Sequence, residues 1–282
     1  MTALVSDALG PRGRRRVAVA SAASGVVVAV VVVLVIRRLA DRGQLDADRW
    51  QPLAQWSVVR FLLGGLWATI RAALVSMALA VVLGALLALA RLSRAAAVRW
   101  AATAWVEFFR GVPLLLLILF SALALPHYGL DLSVFWYLVL GLVAYNSAVL
   151  AEIFRAGINS LDRGQREAAD ALGLRYWQSM RIVIVPQAAR RMVPAIVTQL
   201  VTLLKDTSLG YVIAYEELLR RSRSTGEYFK NPLQMLVVVA VIYILVNLSL
   251  SLLARRLERR RSGTMAIVTG VEDLAVLGAG PR

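Results

Sequence analysis

The sequence predicts an all-α, polytopic helical membrane protein, with about six transmembrane helices and a pair of short helices between two of them. Of its 282 residues, 59% are hydrophobic and only 17% are charged, and the mean hydropathy is +0.69. Soluble globular chains are less apolar. The apolar residues also form runs of about 20, the length that crosses a bilayer. Each run is expected to be helical, because an open strand leaves backbone groups unpaired in lipid.

Six segments are apolar over this length. The first follows the basic stretch "RGRRR", but it has no cleavage pattern of small residues and ends in two arginines, so a retained helix is expected rather than a signal peptide. The second is longer than one crossing requires, which tilt would accommodate. The six candidate spans are residues 17–36, 61–90, 106–125, 132–154, 192–215 and 233–254.

The distribution of basic residues predicts the orientation of these spans. With the N-terminus in the cytoplasm, 19 loop and tail arginines lie on the cytoplasmic side, against nine arginines and lysines on the other side. Both termini are therefore expected to be cytoplasmic, including the basic tail 1–16 and the tail 258–282. The net charge of +15 is interpreted as contact with anionic membrane lipids, and no nucleic-acid partner is expected, because such binding needs a basic, aromatic-rich soluble surface.

Several chemistries are excluded by composition. The chain has no cysteine and a single histidine, His127, so disulfides, thiolate metal sites and sites that need two histidines are ruled out, and no metal site is expected. The chain has two lysines, Lys205 and Lys230, and neither follows the glycines of a GxxxxGK[ST] loop. The chain is therefore not expected to bind or hydrolyse ATP itself. No cofactor bound by this chain and no catalytic residues are expected either.

A polar segment, "GQREAADALGLRYWQSMRIVIVP" (residues 164–186), separates the fourth and fifth candidate spans. Its pattern predicts a helix over residues 163–172, ended by Gly173 in a left-handed conformation. A second short helix follows over residues 175–180, and Pro186 marks the return to the bilayer. The first helix has a small, apolar face and a charged face. The apolar face comprises Ala168, Ala169 and Leu172, and the expected ion pairs are Arg163 with Glu167 and Arg166 with Asp170.

Two interpretations of this first helix fit the residues alone. Small side chains allow close backbone approach, which would suit docking into a cleft of a soluble partner. The same amphipathic pattern is also typical of a helix that lies on lipid headgroups.

The segment resembles a known motif. Glu167, Ala168 and Ala169, followed by Gly173 and Pro186, have the spacing of the cytoplasmic "EAA" motif of permease subunits in ATP-binding-cassette importers. The residues before the proline, Val183 and Val185, stand where that motif usually has Ile and Leu. Other stretches, within residues 63–257, resemble the permeases for polar amino acids. These stretches are "GGLWATI", "FFRGVPLLLL", "AEIFRAGINSLDRGQREAADALG" and "PQAARRMVPAIVTQLVTLLKDTSL".

The resemblance implies a domain organisation and a set of partners. A permease core of five spans would occupy residues 61–257, with a coupling loop at 155–190, and the additional helix 17–36 resembles the longer glutamate permeases. The partners implied are a dimer of cytosolic ATPase subunits that use the ATP, a second permease subunit of the same or another kind, and an extracellular binding protein. The assembly would lie in a bacterial cell membrane and import a polar amino acid, with glutamate expected first. The residues implied to contact the ATPase are Glu167, Ala168, Ala169, Leu172, Gly173 and Pro186.

Polar residues within the candidate spans are candidates for a substrate pathway, because charge at membrane depth is costly. Lys205 and Asp206 lie in the fifth span, with Thr207 and Ser208 beside them. They could line a pathway at a break in the helix, or neutralise each other and hold neighbouring helices together. Arg110 could meet a substrate carboxylate, or pair with Glu107 three residues before it, with Pro113 starting the next helix.

Two other classes of protein stay open on the residues alone. A gradient-driven channel or secondary transporter would move its substrate without an ATPase and would leave the "EAA" spacing unexplained. A membrane anchor or assembly factor would bind a soluble partner through its basic loops without transport.

Overall fold

The computed structural model of the protein describes residues 10–252, in which every regular element is helical. The tail 258–282, the end of the sixth candidate span and most of the tail 1–16 lie outside the described residues. The α-helices are α1 (Pro11–Asp41), α2 (Ala47–Trp50), α3 (Trp56–Arg91), α4 (Ala96–Gly111), α5 (Leu114–His127), α6 (Val134–Asn159), α7 (Arg163–Ala171), α8 (Tyr176–Ser179), α9 (Val185–Asp206), α10 (Leu218–Tyr228) and α11 (Pro232–Leu252).

Four of these helices are long and apolar enough to cross a membrane: α1, α3, α6 and α11. They include most or all of four candidate spans, so the polytopic, all-α prediction is confirmed. The most apolar 18-residue stretch of α1 has no buried residue, and its valines are exposed along most of its length. In a membrane such a helix is covered by lipid or by another chain.

The third candidate span, residues 106–125, is not one continuous helix. The chain breaks at Val112 and Pro113, and α4 and α5 meet there at an angle of 99°. A proline disfavours the helical conformation of the residue before it, and Val112 is extended. The prediction of one span over residues 106–125 is therefore corrected to two helices that meet at a sharp bend.

The fifth candidate span also differs from its prediction. Residues 180–184 form a π-helix that leads without interruption into α9, so the helix begins well before residue 192 and Pro186 lies in its first turn. At its other end, α9 stops at Asp206, a 3-10 helix follows over Thr207–Ile213, and Ala214 is left-handed with φ 64°. Because α9 carries charged residues near both ends and a polar face, the count of six spans stays a prediction.

The core of the bundle is built around α6, which packs against α3, α4, α5 and α9. Small residues bring the helices close together: a Cβ on Gly84 of α3 would lie 2.9 Å from the Ser147 carbonyl oxygen of α6. One end of the bundle carries α7 and α8 and is called here the coupling face. The other end carries the 3-10 helix and α10 and is called the opposite face.

Candidate functional site

The helix α7 forms where the sequence predicts it, within one residue of the predicted end. Asp162 caps its start, with the side chain accepting a hydrogen bond from the Gly164 backbone N–H at 2.8 Å. At its end Gly173 has φ +75°, and the Leu174 backbone N–H donates to the Ala169 carbonyl at 3.1 Å. The predicted left-handed conformation of Gly173 is confirmed. Glycine suits this position because the left-handed conformation is strained for residues that carry a Cβ.

The two faces predicted for α7 are arranged differently in the structure. Ala169 is buried against the rest of the chain, whereas Ala168 is exposed and Leu172 is 81% exposed. These residues therefore do not form one continuous docking face. The predicted ion pairs are wrong as well: among residues 10–252, Arg163 and Arg166 make no salt bridge to Glu167 or Asp170. Glu167 is an exposed carboxylate beside the exposed Ala168.

Side-chain hydrogen bonds connect α9 to α7 and to Ser160, the residue at the end of α6. The Gln187 side-chain amide donates to the Gln165 Oε1 at 2.9 Å, and the Arg191 guanidinium donates to the Ser160 carbonyl at 2.8 Å. An open cleft of about 420 Å³ lies between the end of α6 and α7, and Glu167 is among its lining residues. The segment α7 is thus hydrogen-bonded to α9 and lies beside the end of α6.

The predicted pathway residues Lys205, Asp206, Thr207 and Ser208 lie together where α9 breaks. Lys205 is exposed and Asp206 is partly buried, and the described residues contain no ion pair between them. The Thr207 hydroxyl is buried and donates to the Leu204 carbonyl at 2.7 Å, and the Ser208 hydroxyl donates to the Lys205 carbonyl at 2.7 Å. Of these side chains, Lys205 is the one that projects a charge away from the bundle.

Lys205 continues a polar face along α9. Thr198 and Thr202 precede it by seven and three residues, so the three side chains lie near one another on the same side of the helix. Both threonines are exposed, with their hydroxyls bonded only to carbonyls one turn back in the same helix. An exposed polar face on a helix of a membrane bundle needs water or another polar chain beside it.

Gln199, next to Thr198, connects this face to α6. Its side-chain amide donates to the Asn146 Oδ1 at 2.6 Å, and the Asn146 amide donates to the Leu142 carbonyl at 2.8 Å. Asn146 is fully buried. The hydrogen bond therefore joins the two helices that flank the coupling segment.

Arg110 lies away from these residues, in a cluster of charges at the coupling end of α3, α4 and α6. Glu152 of α6 is its centre, and it contacts Arg91, Arg110 at 3.6 Å and Arg155 at 2.9 Å. Glu107 lies 3.8 Å from Arg91. The predicted pair of Arg110 with Glu107 is therefore wrong, because each residue pairs with a different helix.

Gln199 and Arg91 are structurally central residues that the sequence prediction missed. A glutamine within the apolar run "VTQLVTLL", three residues before Thr202 and six before Lys205, is a detectable pattern. Arg91 gave no comparable indication, because its position at the end of an apolar run is typical of an interface arginine. Its side chain is only 10% exposed in the cluster.

Comparison with known proteins places this arrangement in a family. The family model described as "binding-protein-dependent transport system inner membrane component" matches residues 80–263. The chain belongs to this family. The matched residues begin within α3 and include the coupling segment, the polar face of α9 and α10. Family membership and the several apolar helices make the chain a multi-pass membrane component of a transport system.

Individual relatives of this inner membrane component cover most of the chain. It is 41% identical over 228 residues to the glutamate transport system permease protein GluD of Corynebacterium glutamicum. The matched residues cover 79% of this chain and 83% of that protein. It is 39% identical over 208 residues to the probable glutamine ABC transporter permease protein GlnP of Bacillus subtilis, covering 72% and 94%. A crystal structure of an amino acid ABC transporter with histidines shares 30% identity at a TM-score of 0.70, covering 74% and 97%.

Proposed function

We propose that the chain is the permease subunit of an ATP-binding-cassette importer that moves a polar amino acid, with glutamate the first candidate, into a bacterial cell. The observation that carries the proposal is the position of α7. It is exposed at one end of the bundle, and it connects α6 and α9, which share the Asn146–Gln199 hydrogen bond of 2.6 Å. A partner that pushes on α7 therefore moves both helices.

The proposed partner at α7 is a dimer of cytosolic ATPase subunits. Glu167, Ala168 and Leu172 are exposed toward it, while Ala169, Gly173 and Pro186 shape the segment from within and at its ends. The sequence has no phosphate-binding loop of its own, so the ATPase uses the ATP and this chain is the non-catalytic subunit. The positive-inside distribution of arginines supports a cytoplasmic position for α7 and for both termini.

The proposed substrate pathway follows the polar face of α9. Lys205, Asp206, Thr207 and Ser208 form its end at the opposite face, and Thr198 and Thr202 continue it inward. A second permease subunit, either a copy of this chain or a different one, would cover this face and enclose a polar cavity. Arg110 would line the pathway at the coupling end of the bundle, where it lies beside the Glu152 carboxylate.

An extracellular binding protein is the proposed source of the amino acid, consistent with the family description. Glutamate is the first candidate substrate because one relative is named for glutamate transport. Glutamine is the second candidate because another relative is named for glutamine transport. The alternative function is a gradient-driven channel or secondary transporter, in which α7 would have no ATPase partner.

Uptake of radiolabelled amino acids tests the proposal. Cells that lack the chain are compared with cells that regain it, for glutamate, glutamine, aspartate, arginine and histidine, with ATP either maintained or depleted. The proposal predicts that the chain restores glutamate uptake and that this uptake stops when ATP is depleted. Uptake that continues in ATP-depleted cells under an imposed ion gradient would instead support the gradient-driven transporter.

A further inference from the structure

The helix α10 on the opposite face is seated on a specific part of α3. The stretch "GGLWATI" (residues 64–70) forms this seat through two glycines, a backbone carbonyl and a threonine. A Cβ on Gly65 would lie 3.0 Å from the Leu218 Cα, so the absence of a side chain here lets the two backbones approach closely. The Leu218 backbone N–H donates to the Thr69 Oγ1 at 3.2 Å, and the Tyr215 hydroxyl donates to the Ala68 carbonyl at 3.0 Å.

Glu217 stands at the centre of this contact with no exposed surface. Its Oε2 accepts from the Leu219 backbone N–H at 2.8 Å, and its Oε1 accepts from the Arg220 backbone N–H at 2.7 Å. These two bonds cap α10. The Tyr243 hydroxyl of α11 donates a third bond to the Oε2, at 3.1 Å. The Glu217 side chain therefore links α10 with α11, while Leu218 and the nearby Tyr215 are bonded to α3.

Glu217 is connected along the chain to the break at the end of α9. The 3-10 helix Thr207–Ile213 and the left-handed Ala214 connect the Lys205 end of the polar face to Tyr215 and Glu217. Three residues, 214–216, separate the end of this 3-10 helix from Glu217, so the position of Glu217 constrains the position of the break.

We propose that Glu217 is a positioning residue, which holds the break of α9 in register with α3 and α11 and so fixes the Lys205 end of the substrate pathway. The proposal rests on the proposed transport function. It assigns Glu217 no contact with the substrate and no role in the ATPase contact. Its neighbour Glu216 provides the contrast, because Glu216 is 54% exposed and pairs with Arg220 at 3.0 Å on the surface.

Three variants of the full chain separate these roles. Glu217→Gln removes the charge but keeps the size of the side chain. Tyr243→Phe leaves the cap of α10 intact and removes the hydroxyl that links Glu217 to α11 and that also interacts with Thr69 and Thr207. Glu216→Gln makes the same change of charge as Glu217→Gln, at an exposed site where a pair contributes little. Each variant is assembled with its ATPase and binding protein in lipid vesicles.

Two quantities are measured on each assembly: amide hydrogen exchange over residues 207–220, and the dependence of ATP-driven glutamate uptake on glutamate concentration. We expect exchange to accelerate about tenfold in Glu217→Gln, since a lost hydrogen bond to a charged group has about this effect. The acceleration is expected to be smaller in Tyr243→Phe. The half-saturating glutamate concentration should rise severalfold in both variants, with a smaller change in the maximal rate, and Glu216→Gln should match the wild type in both measurements.

Several results would overturn the proposal. Faster exchange without a change in the half-saturating concentration would mean that Glu217 has only a structural role, and unchanged exchange would mean that it does not hold the break. An equal effect of Glu216→Gln would attribute the result to surface charge. If the wild-type assembly transports none of the amino acids tested, the proposed function fails. If the wild type transports and the variants do so with unchanged half-saturation, only the positioning role of Glu217 fails.

Discussion

Asn146 of α6 and Gln199 of α9 lie 53 residues apart in the chain, and their side chains share a 2.6 Å hydrogen bond inside the bundle. The bond spans the two helices on either side of the coupling segment. Asn146 has no exposed surface, so its oxygen has no access to solvent in place of the Gln199 amide. This pair of amides is therefore the buried polar link between the two helices, and the Arg191–Ser160 hydrogen bond joins them at the coupling end.

Replacing Gln199 by leucine is expected to destabilise the protein by about 1–3 kcal/mol, because it leaves the buried Asn146 Oδ1 without a donor. Thermal unfolding in detergent measures the change. Thr103→Val is the control, because the Thr103 hydroxyl is bonded only to the Arg99 carbonyl of its own helix. Equal melting temperatures for the wild type and Gln199→Leu would show that the hydrogen bond has no stabilising role.

Glu152 is expected to be the most sensitive member of the charge cluster. Glu152→Gln leaves Arg91, Arg110 and Arg155 close together without a negative charge between them, and we expect a loss of about 1–3 kcal/mol. Glu107→Gln makes the same change at a side chain that is 62% exposed, where about 0–1 kcal/mol is expected. Thermal unfolding of both variants checks the difference, and a larger effect at Glu107 would contradict this assignment of Glu152 as the centre.

Gly65 is expected to tolerate no side chain. In Gly65→Ala the new Cβ would approach the Leu218 backbone within 3.0 Å, and overpacking of this kind costs about 1–3 kcal/mol. Gly111→Ala is the matched control, since a Cβ built there has no atom within 4 Å from the described residues beyond its own helical turn and chain neighbours. If both variants unfold at the wild-type temperature, α10 is not seated on α3 as described.

The apolar spans could be predicted from the sequence because their information is local. A run of apolar residues fixes the existence of α1, α6 and α11, and the position of Gly173 fixes the end of α7. The same method placed the start of α9 too late, at residue 192, because Arg190 and Arg191 interrupt the apolar run although the helix continues through them. Hydropathy indicates which part of a helix can contact lipid, but the helix itself can begin several residues before that part.

The tertiary partners could not be predicted in the same way. Arg110 and Glu107 are three residues apart on one helix, which favours pairing. In the structure, however, Arg110 pairs with Glu152 of α6, and Glu107 pairs with Arg91 of α3. The "RGVP" stretch contained the break between α4 and α5, although the 99° angle depends on packing against α6. Ala168 and Ala169 are identical in type, and only the docking of α7 on the chain decides that Ala169 is buried.

The contact between α7 and the ATPase is tested most directly by co-purification. An affinity-tagged chain is extracted in mild detergent as the wild type, as Glu167→Lys and as Glu227→Lys, and the ATPase retained per chain is measured. Glu227 is a suitable control because it is an exposed glutamate on the opposite face, where it pairs with Arg223 at 3.1 Å. Glu167→Lys should remain in the membrane and lose most of the ATPase, while Glu227→Lys retains it. Retention of the ATPase by Glu167→Lys at the wild-type level, with ATP-driven uptake unchanged, would contradict the assignment of α7 as the coupling helix.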